Sequence, residues 1–297
     1  PGTPAAAATV LDGYPLAQQG KGMKAMKMAL YSSVFGDTFS DIMLIFAAGF
    51  LASIALNFGP PEYTLLTGFS LICISSLTGN SVWKGLLSVF LGMIIGMIGL
   101  DPITATPRLT FDYLELEEGI GLIPMLIGTL AVSEALRQME QPIKKLASST
   151  LSFSKKKIDN IVTWSEFKST LPTIVKSSGL GTLIGAMPGL GSTIAAFLAY
   201  GEAKRSSKFP EKFGKGSLEG VAASEAANNA VSGSNMIPLL AFGIPGDIAA
   251  ALIMGAFLIQ GITLGPVVFQ DNPVEIYAIF AALIVANLLN LVLGHGL

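Results

Sequence analysis

Apolar residues run through this chain in long stretches, and most of the charged residues lie in the breaks between them. The first stretch covers 34–58 and ends at the turn signal Gly59-Pro60-Pro61; a second covers 63–82, with Trp83 and Lys84 placed as interfacial anchors. A third covers 85–100 and a fourth 120–136, separated by an acidic segment that sets Asp101, Asp112, Glu115, Glu117 and Glu118 against Arg108. Stretches of about 20 apolar residues predict membrane-crossing helices. Before them, residues 1–30 are rich in Gly, Ala and Pro, and predict a loop or broken helix leading into a basic edge at Lys21, Lys24 and Lys27.

The placement of the cations fixes a topology. A basic segment holding Arg137, Lys144, Lys145, Lys155, Lys156, Lys157 and Lys168 follows the fourth stretch. Four crossings from the basic edge at 21–27 return to it with the acidic segment on the far side, in keeping with the positive-inside rule. The next apolar block, 171–200, leads into a second basic segment with Lys204, Arg205, Lys208, Lys212 and Lys215, so both its ends belong on one side. Two half-helices meeting at Pro188-Gly189-Leu190-Gly191 satisfy that where one straight helix does not, and predict a re-entrant hairpin. A second hairpin is expected over 218–262, broken at Pro245-Gly246, and a last span over 276–293 follows the turn signals Pro266 and Asp271-Asn272-Pro273.

The expected fold class is therefore all-α integral membrane: a polytopic helical bundle with re-entrant or broken helices and inverted repeats. Residues 1–297 read as one transmembrane domain, with 138–170 as a basic cytoplasmic loop joining two halves. The start at Pro1 and the stop at Leu297 read as truncations of a longer chain.

Composition agrees: 51% of residues are hydrophobic and 13% charged, where an ordinary soluble domain has roughly 25% charged. A formal net charge of −2 gives no sign of nucleic-acid binding. The single cysteine, Cys73, excludes an internal disulfide and reads as a small core residue. His295 is the only histidine, which argues against a catalytic triad or a histidine metal centre, and no phosphate-binding loop motif is present. No catalytic residue, metal site or cofactor is expected, beyond Na⁺ or H⁺ as a coupling ion.

The helix breaks carry the candidate chemistry. The segment Pro1-Gly2-Thr3-Pro4 followed by alanines resembles Pro245-Gly246-Asp247-Ile248 followed by alanines, and paired interrupted helices point to a transporter's binding site. Unwinding frees N–H groups at a half-helix N-terminus, where an anionic group is held. Gly2, Thr3, Pro4, Pro188, Gly189, Gly191, Ser192, Thr193, Asn228, Asn229, Pro245 and Gly246 are the substrate-binding candidates. Glu225 and Asp247 are coupling-ion candidates, although an Asp before Ile248 is also explained as a helix cap. Asp37 and Asp41, one turn apart, read as a wet helix end without a role. An intramembrane enzyme using Ser224-Glu225 or Asp247, or a structural membrane subunit, are the alternatives.

The strings PGTPAAAATVLDGYPLAQQGKG, FGPPEY, GLDPITATPRLTF, GTLIGAMPGLGSTIAAFLAYGEAKR, FGKGSLEGVAASEAANNA and PLLAFGIPG together resemble the large permease subunit of tripartite tricarboxylate transporters, the TctA family. The resemblance implies gradient-driven uptake of a citrate-like tricarboxylate or related carboxylate across a bacterial inner membrane. It also implies a small membrane subunit (TctB-like) and a periplasmic solute-binding protein (TctC-like) as partners. Asp247 stands where the resemblance leads one to expect a small hydroxyl residue.

Overall fold

The structure, a computed structural model, describes residues 5–76, 82–101, 104–121, 124–125, 127–132, 136, 139, 154 and 156–295. Gly2, Thr3 and Pro4 lie outside these, as do Arg137, Lys144, Lys145 and Lys155 of the expected basic loop.

Among the described residues the fold is all-α apart from a two-residue antiparallel pairing of Gly99–Leu100 with Pro107–Arg108 in the acidic segment. The longer helices are α1 (Ala6–Gln18), α2 (Gly22–Ala55), α3 (Pro60–Ser76), α4 (Val82–Gly96), α5 (Trp164–Gly185), α6 (Gly191–Ser206), α7 (Leu218–Ser234), α8 (Met236–Phe242), α9 (Ile248–Ile259) and α10 (Pro273–His295). Two of them, α2 and α10, are long and apolar enough to cross a membrane.

The start of the chain takes the second of its two expected forms, a broken helix. Ala6–Gln18 is a helix, because its alanines and leucines outweigh Pro15, and the break falls at residues 19–21, where Gly20 takes a positive φ. Helix α2 then begins at Gly22, well before the apolar run, so Lys24 and Lys27 are helical. At 34 residues it is about 50 Å long at 1.5 Å per residue.

Helix α7 is the centre of the bundle. Of its 17 residues, Gly220, Val221, Ala222, Ala223, Ser224, Ala226, Ala227, Ala230, Val231, Gly233 and Ser234 are buried, and most are no larger than alanine or serine. Small side chains let backbones approach closely, which is how helices associate where no apolar solvent contrast drives them together. A Cβ at Gly36 of α2 would lie 2.2 Å from the Ala226 carbonyl oxygen, and one at Gly181 of α5 would lie 2.3 Å from that of Ala227. A Cβ at Gly220 would lie 2.1 Å from the Asp12 carboxylate of α1.

The helix ends are tied by polar groups. Thr163 and Glu166 form a capping box at the start of α5. The same Glu166 accepts from Lys24 Nζ at 2.7 Å, joining the starts of α2 and α5. Asp12, fully buried, accepts from the backbone N–H groups of Gly214, Gly216 and Ser217 at 2.8–2.9 Å and from Tyr200 Oη at 2.9 Å, which fastens the second basic segment to α1 and α6.

Gly181→Ala should lower the melting temperature of the detergent-purified protein, since overpacking of about 1–3 kcal/mol exceeds the helix-propensity gain of about 1 kcal/mol. Gly13→Ala, where no atom lies within 4 Å of the new Cβ, should leave stability unchanged or raised. A second expectation concerns acid. Burial raises the Glu166 carboxyl, but Lys24 and the Thr163 donors outweigh it and hold the group below its ordinary value. The pair therefore stabilises the fold above the ordinary carboxylate range and loses that contribution as pH falls through the lowered folded value. Lys24→Met should flatten this acid-side fall in a melting-temperature profile against pH.

Candidate functional site

Both predicted breaks are present, and they touch. Helix α5 ends at Gly185 and α6 begins at Gly191; between them Gly189 has φ +90°, and Gly191 has φ +66°. Helix α8 ends at Phe242, with Gly243 left-handed, and α9 begins at Ile248. Gly189 N–H donates to the Gly246 carbonyl oxygen at 2.6 Å, so the two interruptions are joined backbone to backbone. Pro188 and Gly246 are buried; Gly189, Gly191, Ser192, Thr193 and Pro245 are partly exposed.

What differs between the two breaks is how the following helix is capped. Asp247 Oδ1 accepts from Ala250 N–H and from Asn235 Nδ2, both at 2.9 Å, so this carboxylate caps α9 and anchors it to the α7–α8 junction. Gly246 packs directly on Asn235: a Cβ there would lie 2.8 Å from the Asn235 Cβ. Helix α6 has no side-chain cap, and among the described residues the Ser192 and Thr193 hydroxyls have no hydrogen-bond partner. Its first-turn N–H groups and these two hydroxyls together form an uncapped donor-rich helix start.

A polar seam runs along α7 toward the breaks. Glu225, Asn228, Asn229 and Ser232 fall at i, i+3, i+4 and i+7, the stripe of α7 left partly exposed among its buried small residues. Glu225 accepts from Thr9 Oγ1 at 2.6 Å and from Ser33 Oγ at 3.0 Å, and Asn229 Nδ2 donates to Ser33 Oγ at 2.8 Å and to Glu225 Oε2 at 3.3 Å. One turn further along α2, Ser232 Oγ donates to Asp37 Oδ1 at 2.5 Å. One more turn on, Asn287 Nδ2 of α10 donates to Asp41 Oδ2 at 2.8 Å. Asn228 has no side-chain partner among the described residues.

The predicted site residues therefore fall into three groups. Pro188, Gly189, Gly191, Ser192, Thr193, Pro245 and Gly246 gather at the joined breaks; Glu225, Asn228 and Asn229 share the α7 seam; Asp247 serves as a cap, held by Asn235. The reading of Asp37 and Asp41 as a wet helix end does not hold: both lie inside α2, and Asp41 is 1% exposed. Also missed were Asn235, Asn287, Thr9 and Ser33. The signal for α2 was available, since Ser33, Asp37, Ser40 and Asp41 recur at i, i+4, i+7 and i+8 on one helix face. A cavity of about 920 Å³ lies elsewhere, lined by Lys21, Lys24, Lys168, Lys176, Glu202 and Glu219 among others, and holds none of the predicted site residues.

An all-α bundle in which two broken helices meet beside a helix of small residues, with two further helices long and apolar enough to cross a membrane, is an architecture that membrane transport proteins use. The chain belongs to the tripartite tricarboxylate transporter TctA family, whose sequence pattern matches residues 1–297. It is 37% identical over 295 residues to an Agrobacterium vitis protein named "Uncharacterized 52.8 kDa protein in TAR-I ttuC' 3'region", covering 99% of this chain and 58% of that protein. It is 46% identical over 114 residues to a second Agrobacterium vitis protein, "Uncharacterized protein in TAR-II ttuC' 3'region", covering 38% of this chain and 47% of that one. The chain thus spans a little over half the length of the first relative, 58%. No solved structure matches the chain.

Asp247→Ala should remove both the cap and the partner of buried Asn235, at about 1 kcal/mol for the cap and 1–3 kcal/mol for the orphaned amide. Asp247→Asn keeps an acceptor at Oδ1 and should melt close to the parent. Thermal melts of the two variants separate a capping role from a need for the charge.

Proposed function

We propose that this chain forms part of the large transmembrane permease subunit of a tripartite, ion-gradient-driven carboxylate transporter in a bacterial inner membrane. The observation that carries the reading is the backbone bond between Gly189 and Gly246, which brings both helix breaks together beside the unpartnered hydroxyls of Ser192 and Thr193.

A carboxylate of a citrate-like substrate would be held by the first-turn N–H groups of α6 and by these hydroxyls, with the helix dipole favouring its charge. Asn228 and Asn229 stand on the seam leading to this point, and Gly2, Thr3 and Pro4 are proposed to complete it from the other half by the likeness of their segment to Pro245–Ala251. Glu225, which among the described residues faces three donors and no cation, is the proposed site where Na⁺ or H⁺ couples uptake to the gradient. A small membrane subunit and a periplasmic solute-binding protein are the proposed partners. In this reading the bundle is polytopic, with 171–200 as a re-entrant hairpin.

An intramembrane enzyme is less well supported. Ser224 Oγ lies 3.0 Å from Thr9 Oγ1 and donates to carbonyl oxygens one turn back, while His295 is hydrogen-bonded to the Tyr31 hydroxyl at 2.9 Å in a separate groove, so among the described residues the histidine does not meet Ser224, Glu225 or Asp247.

Labelled citrate uptake into vesicles tests the reading, using the full-length subunit with its small membrane partner and candidate binding proteins. Accumulation should require a Na⁺ or H⁺ gradient. Ser192→Ala should weaken apparent substrate affinity about tenfold to a hundredfold, the loss of a hydrogen bond to a charged group of about 1.5–3 kcal/mol. Uptake indifferent to the gradient, or a Ser192→Ala affinity equal to the parent, would reject the assignment.

A further inference from the structure

Three carboxylates stand along the seam between α2 and α7, and they are satisfied very differently. Glu225 faces donors from Thr9, Ser33 and Asn229. Asp37 accepts from Ser232 and is partly exposed. Asp41 is 1% exposed; Asn287 Nδ2 donates to its Oδ2, and its Oδ1 has no hydrogen-bond partner among the described residues. That bare oxygen is turned against the Cα of Gly233, where a Cβ would lie only 2.4 Å away.

The helices around Asp41 bring no compensating cation. Helix α8 contains no charged residue, and α10 carries only Glu275 in its first turn and His295 in its last. Helix α7 contributes Glu219 and Glu225, neither bonded to Asp41, and on α2 itself the nearest titratable group is Asp37, another acid. Of the cations of α5, Lys168 lies in its second turn, beside the Glu166 that pairs with Lys24, and Lys176 is paired with Glu202 of α6 at 2.6 Å; Lys24 itself is about 25 Å along α2 from Asp41 at 1.5 Å per residue. A buried carboxylate with one bare oxygen and no cation is costly as an anion, whereas the acid form needs no counter-charge.

We propose that Asp41 is the residue that takes up and releases the proton during the transport cycle, with Asp37 as its relay to the wet seam. This rests on the transporter reading above. A metal cation requires a shell of oxygen ligands, but Asp41 meets an amide N–H on one oxygen and a glycine Cα on the other. A proton requires the carboxylate alone. Uptake forms an O–H bond at Oδ1 and leaves a neutral carboxylic acid; release returns the proton through Asp37, one turn nearer the partly exposed seam, to water. Glycine at 233 leaves Oδ1 the space to gain that hydrogen.

The test is infrared spectroscopy of the purified full-length subunit at neutral pH, paired with transport. The parent should show a carboxylic-acid carbonyl band that Asp41→Asn removes, and Asn is nearly isosteric with the protonated acid, so this variant should fold. In vesicles Asp41→Asn should keep substrate exchange across the membrane but lose accumulation driven by a proton gradient. A carbonyl spectrum unchanged by Asp41→Asn, or proton-driven accumulation retained in it, overturns the proposal. Should Asp41→Asn fail to fold, Asn287→Ala decides: removing the donor to Oδ2 should shift the same band, and an unshifted band counts against Asp41. If the parent transports nothing, the transporter reading fails, and the infrared result alone settles whether Asp41 holds a proton.

Discussion

Close approach to α7 is the constraint on which the other helices depend. Its alanines, glycines and serines present methyl groups, hydrogens and backbone carbonyls, and α1, α2 and α5 come against it at Gly220, Gly36 and Gly181 within distances that admit no added Cβ. A helix surrounded in this way has little room for polar side chains except along one stripe, and Glu225, Asn228, Asn229 and Ser232 occupy that stripe. The close packing and the polar seam are thus two results of one sequence choice. The packing removes bulk from most of the helix, and the same removal concentrates the remaining chemistry on α2 and α1 across the seam.

The breaks were legible in the sequence because proline and glycine act locally. Pro188-Gly189-Leu190-Gly191 and Pro245-Gly246 interrupt apolar runs that have no other reason to stop, and both stop where these residues stand. That the breaks touch was not legible, since a bond between residues 189 and 246 belongs to the packing of α5, α6, α8 and α9 together. Asn235 escaped notice for the same reason: an amide inside an apolar region has no local signature, and its task, holding Asp247, appears only once the chain folds back. Over the first 30 residues, where glycine and proline content suggested a loop or a broken helix, the broken helix is what forms, because the alanines sustain α1 and the interruption is confined to residues 19–21. Asp37 and Asp41 were discounted by their closeness to the start of the apolar run; α2 in fact begins twelve residues before that run, which carries both acids into its interior.

Charge is handled in two ways along the molecule. At the basic end two acids meet lysines, Glu166 with Lys24 and Glu202 with Lys176 at 2.6 Å, while Glu219 is held by the Thr173 and Ser207 hydroxyls. Along the seam and at the second break, Glu225, Asp37, Asp41 and Asp247 meet only hydroxyls, amides and N–H groups. Pairing with a cation fixes an acid in one state, whereas neutral donors leave its protonation or ligation open to change. The division therefore separates acids fixed by a lysine from acids held by neutral donors, of which Asp247 serves as a helix cap.

Asp12 belongs to neither group. Its carboxylate grips the N–H groups of Gly214, Gly216 and Ser217 and the Tyr200 hydroxyl, so the basic segment is shaped through its backbone while Lys208, Lys212 and Lys215 take no part in the grip. Contour and charge are thereby decoupled on this surface: mutation can rewrite the electrostatic character of the segment, lysine by lysine, while the loop keeps its course.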